Sequence, residues 1–206
     1  MATEREVAVE VEPQTGISFP VTLDDGKLQL NCVCVRKKSM LGVGVKISTN
    51  GMYTDNEKLK DLLKTKIGAA PVKPTSQMYD LVIDSDVPMT IRMVIVFSGL
   101  TMNMVKKGMA DNLATVIKKL NGGKKNDELS KMVLGPASDE IKLKPGSVLE
   151  FSRLPGHVLQ TKVMGEMISK VESELLCRAF IHGYIGDDAQ DKETKERYGM
   201  ALLSLF

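Results

Sequence analysis

The chain has 206 residues, 43% hydrophobic and 26% charged, which suits one domain with a real core. A net charge of +2 and only 4% aromatics argue against nucleic acid or an anionic membrane as the main partner, and against base-stacking platforms. Three Cys, with His157 and His182 far from Cys32 and Cys34, argue against a disulfide framework or a metal site and for buried thiols in a reducing compartment.

Residues 1–15 read as a lead-in that has room for one edge strand, and residues 16–206 as a single domain. No apolar run is long enough to span a bilayer. The opening MATEREVAVEVEP has neither a basic segment backed by an apolar one nor an Arg- and Ser-rich composition, so a cytoplasmic chain is expected. Ile17 to Leu23 predicts a strand interrupted by Pro20, and Asp24-Asp25-Gly26 a turn before a second strand, Leu28 to Val35.

From Met40 the chain alternates. Leu41, Val43, Val45 and Ile47 would share one face, and Gly42, Gly44, Lys46, Ser48 and Asn50 the other. This predicts one long strand over 39–53, its polar side either solvated or the floor of a cleft. Asp55 or Thr54 then caps a helix to about Lys64, and Gln77 to Ile83 is a second, short helix. Met89 to Phe97 reads as a strand. Thr101 to Leu120 is amphipathic, with Met102, Val105, Met109, Leu113, Val116 and Leu120 at helical spacing. Asp127 to Leu134 is a short helix, Ser147–Ser152 and His157–Met164 form a hairpin, Glu166–Tyr184 reads as a long helix, and Lys192–Leu205 as the last. Strands and helices do not alternate regularly, so the expected class is α+β: a largely antiparallel sheet with helices on one face. Thirteen Met suit an adaptable core or pocket. Gly42-x-Gly44 with Lys46 and Ser48 lacks the spacing of a phosphate loop.

Val35-Arg36 before a long strand, Gly51-Met52-Tyr53 before a helix, and Ile181-His182-Gly183-Tyr184-Ile185-Gly186 near the end together resemble the chalcone isomerase fold family, an open-faced β-sandwich. RKKSMLG, SRLPG and QTKVMGE, in that order, are most similar to its fatty-acid-binding, chalcone-isomerase-like branch. The resemblance implies that Arg36 stabilises an oxyanion in an isomerase or holds a carboxylate in a fatty-acid binder. It matches the strand hydroxyl to Ser48, with Thr49 beside it, and a central-helix Lys to Lys107. It sets a family Asn at Asp111 or the adjacent Asn112, and a Thr-Met pair at Gly183-Tyr184. A catalytic Tyr falls at Met104, and the strand Tyr of the fatty-acid binders, expected near Ser48 or Thr49, is missing.

These departures predict a non-catalytic monomer without cofactor or metal, its ligand a fatty acid or a flavonoid-like molecule. A chalcone isomerase and an auxiliary protein of flavonoid synthesis are the alternatives. Should Arg36 not hold the carboxylate, Lys46 and Lys107 are next. The resemblance also leaves the plastid stroma open as a destination.

Overall fold

Residues 8–206 are described by a computed structural model. Its sheet is shaped by reversals at residues with positive φ: Asp24, Asp25 and Gly26; Leu41 and Gly42; Gly156 and His157; Met164 and Gly165. Each returns the chain antiparallel to itself. The strands are β1 Val9–Val11, β2 Ser18–Pro20, β3 Thr22–Leu23, β4 Leu28–Met40, β5 Val43–Thr54, β6 Met89–Ile95, β7 Val148–Leu154, β8 Val158–Val163 and β9 Glu166–Glu172. The helices are α1 Asn56–Lys66, α2 Ser76–Asp84, α3 Met102–Leu120, α4 Asp127–Lys131, α5 Glu174–Ile185 and α6 Lys192–Leu203. Strands β3 to β9 form one seven-stranded sheet in chain order, every neighbouring pair antiparallel. The α+β class and the helical cover on one face are as the sequence predicts.

The main core joins Cys32, Cys34, Met52, Ile91 and Phe151 of the sheet to Leu59, Val82, Leu113, Phe180 and Leu202 of the helices. On the other face a small cluster of Phe19, Val33 and Val94 lies under the β1–β2 hairpin. There Gly51 leaves the space that the Phe19 ring fills, since a Cβ at Gly51 would lie 2.6 Å from that ring. Arg153, 1% exposed, donates to the carbonyls of Val82, Ile83 and Val87. It thereby satisfies acceptors that the end of α2 leaves over. No helix among the described residues is long and apolar enough to cross a membrane.

Three expectations change. The strand expected over 39–53 is cut at Leu41 and Gly42, where both φ values are positive, so Met40 closes β4 and Val43 opens β5. Asn-Gly would have announced this turn; a leucine in its first position does not. The two predicted faces also merge. Arg36 pairs with Ser48 but Lys37 pairs with Lys46, leaving Ile47 as the extra residue of a bulge. One inserted residue inverts the alternation, so Val43 and Val45 share a face with Ser48 and Asn50.

Lastly, Glu166–Tyr184 is not one helix. Met164 and Gly165 turn the chain into β9, and α5 begins only after Ser173, whose hydroxyl accepts from Leu176 N. Ile168, Val171 and Leu175 fall at helical intervals by coincidence. Ile168 is itself the extra residue where Ser169 and Met167 pair with Thr161 and Lys162.

Candidate functional site

The bulge at Ile47 turns the β4–β5 end of the sheet into the floor of a cavity of about 370 Å³. Arg36, Lys38 and Met40 of β4, Ile47, Ser48 and Asn50 of β5, and Met93 of β6 supply the sheet side. Met104, Val105, Gly108, Met109, Asn112 and Leu113 of α3 close it from above. Phe180, Gly183 and Tyr184 of α5 complete the wall, with Gln190, Asp191 and Thr194 around the start of α6. Most of the lining surface is thioether, aliphatic or aromatic, and most of the polar groups cluster where the sheet meets the start of α6.

Within that cluster Ser48 is fully buried and donates to Asn50 Oδ1 at 3.2 Å. Arg36 Nη2 donates to Gln190 Oε1 at 2.7 Å. Tyr184 stacks tilted on Phe180, ring centroids 5.5 Å apart. Burial raises the Tyr184 phenol above its ordinary range, and the Arg36 charge draws it partly back. The phenol therefore stays neutral and able to donate near pH 7. Asp191 caps α6, taking bonds from Glu193 N at 3.0 Å and Thr194 Oγ1 at 2.6 Å. Its carboxylate is thus occupied within the helix terminus, leaving the Arg36 guanidinium, with the exposed Lys37 and Lys38 at the mouth, as the cations able to meet an anion.

Of the residues predicted from sequence, Arg36, Ser48, Asn112, Gly183 and Tyr184 meet at this cavity. Thr49 does not. It points to the opposite face, as alternation from Ser48 requires, and donates to Thr15 Oγ1 at 3.0 Å. Lys107 and Asp111 also lie elsewhere, on the side of α3 that faces α4, where they border a second hollow with Ser130 and Lys131. A helix turns 100° per residue, so Asn112, and not Asp111, is the one of the two that reaches the cavity. Lys46 is engaged on the underside, donating to Gln14 O at 2.6 Å. Gln190, Asp191 and Thr194 carried no signal in the sequence, because no local spacing links them to β4. Asn50 was legible as part of a polar floor. The three cysteines are free and buried.

No family model matches the chain. It is 59% identical to chalcone isomerase-like protein 1 of Humulus lupulus, over 97% of this chain and 94% of that protein. It is 33% identical to fatty-acid-binding protein 1 of Arabidopsis thaliana, over 91% of this chain and 68% of that one. A crystal structure of an Arabidopsis thaliana fatty-acid binding protein superposes with a TM-score of 0.87 at 32% identity, covering 96% of this chain and 98% of its own.

Proposed function

The chain belongs to the chalcone isomerase-like family, and we propose that it is a non-catalytic binding protein whose ligand is a fatty acid. The observation that carries this reading is Arg36, a guanidinium on the wall of an otherwise mostly apolar cavity of about 370 Å³, inside the size range of small-molecule pockets, roughly 300–1,000 Å³. A guanidinium pairs with a carboxylate through two parallel, charge-assisted hydrogen bonds. Tyr184 supplies the phenol that β5 does not present here, since the β5 tyrosine, Tyr53, donates to Pro20 O instead. Tyr184 reaches the cavity from α5, and Arg36 is near enough to influence its titration. Ser48 and Asn50 offer neutral partners beneath. An acyl tail along Met93, Met104, Val105 and Met109 gains about 0.8 kcal/mol for each CH₂ removed from water.

Cyclising a chalcone needs developing oxyanion charge to be met by preorganised donors. Met104, where an isomerase of this fold carries Tyr, has no donor to offer. The test is titration of a fluorescent fatty acid. Arg36→Ala should lose on the order of tenfold to a hundredfold in affinity, the worth of one charge-assisted hydrogen bond at about 1.5–3 kcal/mol. Arg36→Lys should recover part, and Lys37→Ala should do little. Equal loss from Arg36→Ala and Lys37→Ala would move the carboxylate elsewhere.

The rings of Phe97, Phe180 and Tyr184 on the wall favour a second reading, a flavonoid-like ligand held without chemistry. A chalcone that displaces the fluorescent fatty acid, and does so with affinity independent of Arg36, would favour it.

A further inference from the structure

From Leu28 to Thr54 the chain carries Arg36, Lys37, Lys38 and Lys46 and not one carboxylate. Lys37 and Lys38 are exposed, and neither makes an ion pair among the described residues. Just beyond them the β4–β5 turn presents Met40, Leu41 and Val43, exposed by 40%, 105% and 64%. Met40 and Val43 are paired in register, so they project side by side with Leu41 at the apex. This tip is the rim of the cavity, whose mouth Lys37, Lys38 and Met40 also line. Across the mouth, Met104 of α3 is 51% exposed.

We propose that the β4–β5 tip is a docking element for an anionic lipid surface, with Met40, Leu41 and Val43 entering the interface and Lys37 and Lys38 meeting the phosphates. Charge complementarity selects this occupant. Apolar side chains on a narrow turn, backed at once by cations, match the layering of a bilayer surface, with hydrocarbon below headgroups. A stable protein partner would need about 800 Å² on each side, a broad face that a turn does not offer. The net charge of +2 gives little long-range pull, so attraction falls to this local cluster, and added salt weakens it. Docked in this way, the cavity mouth faces the lipid, and an acyl chain reaches Arg36 with little passage through water. That last step rests on the fatty-acid reading; docking does not.

The full chain is sedimented with phosphatidylcholine vesicles and with vesicles that also contain phosphatidylserine, at low and high salt. The protein should pellet with the anionic vesicles at low salt and be released by high salt. Leu41→Asn is the informative variant. Asn accepts positive φ better than Leu, so the hairpin persists while its apolar apex is lost, and vesicle binding should fall on the order of tenfold. The paired change Lys37→Glu with Lys38→Glu should abolish it.

Titration of the fluorescent fatty acid without vesicles should give one affinity for wild type and Leu41→Asn. If wild type pellets yet takes up no fatty acid, docking stands and the fatty-acid reading falls. The docking proposal is overturned if wild type stays in the supernatant, or if Leu41→Asn pellets equally. It is equally overturned if wild type ignores vesicles but forms a dimer that Leu41→Asn dissolves, since the tip then serves a second copy of the chain.

Discussion

Arg36 and Gln190, 154 residues apart in sequence, meet at 2.7 Å with the guanidinium donating and the side-chain amide accepting. In the binding mode proposed above, the amide oxygen sits where one oxygen of the fatty-acid carboxylate would go. It is a neutral acceptor, so it satisfies Arg36 less well than a carboxylate does.

On that proposal, an entering fatty acid displaces the amide. Gln190→Ala should therefore tighten binding about twofold to fivefold, the release of one neutral hydrogen bond of about 0.5–1 kcal/mol. Gln190→Glu installs a carboxylate at the same place and should weaken binding by on the order of tenfold or more, with relief by salt. Calorimetric titration of the three proteins checks both directions.

Met104 bears on catalysis. Purified protein should cyclise a chalcone no faster than the spontaneous reaction. If a trace of activity is found, Met104→Tyr should raise it more than Met109→Tyr does, because a phenol at 104 restores the donor an isomerase of this fold has there. Stereoselective turnover by the wild type, followed by absorbance and chiral chromatography, would remove the non-catalytic reading.

Gly108 is inside α3 and lines the cavity, and a Cβ built on it meets nothing within 4 Å. Gly108→Ala should stabilise the protein by up to about 1 kcal/mol, the helix preference of Ala over Gly, with little effect on binding. Gly108→Leu projects into the space an acyl tail would use. It should weaken long-chain ligands more than short ones, read from a series of fatty acids of increasing length.

His182 sets a pH dependence. Burial lowers its pKa below the ordinary value of 6.5, and Lys119 adds to the fall, while Asp187, Asp188 and Asp80 oppose it. Its Nδ1 is buried without a hydrogen-bond partner among the described residues. The unfolded chain then binds a proton that the folded chain resists, so stability is full above about pH 6.5 and declines as pH falls from there toward the depressed folded value. The melting temperature should drop across that window. His182→Gln should flatten the drop while leaving the acid limb set by carboxylates.

Strands and helices that differ in period were readable, and so was one cap with a side-chain acceptor: Asp55 and the strong amphipathy of α3 stand where expected, with Thr101 proving to be the cap of α3 and not its first residue. Two kinds of information were hidden. Single-residue insertions such as Ile47 and Ile168 leave no mark in composition, yet each inverts every side chain that follows it. β9 is an edge strand with mixed exposure, so its Ile168 and Val171 imitate a helix that begins only at Glu174. The site was half legible for a related reason. Arg36, Ser48 and Asn50 lie on adjacent strands and could be grouped, whereas Gln190, Asp191 and Thr194 reach them only because α6 packs back on β4.

The division of labour in the cavity wall has a consequence for how its ligand preference could be retuned. The polar end is anchored in β4 and β5, inside a ladder whose register is held by main-chain bonds on both sides of β5. Apart from Met93 on β6, the proposed tail end is one stripe of α3, at Met104, Val105, Gly108, Met109 and Asn112, where a side chain can be exchanged without disturbing any strand. On the proposed binding mode, a new chain length or a ring in place of a chain is thus chiefly a matter of rewriting that helical stripe, while the polar clamp on the sheet is kept.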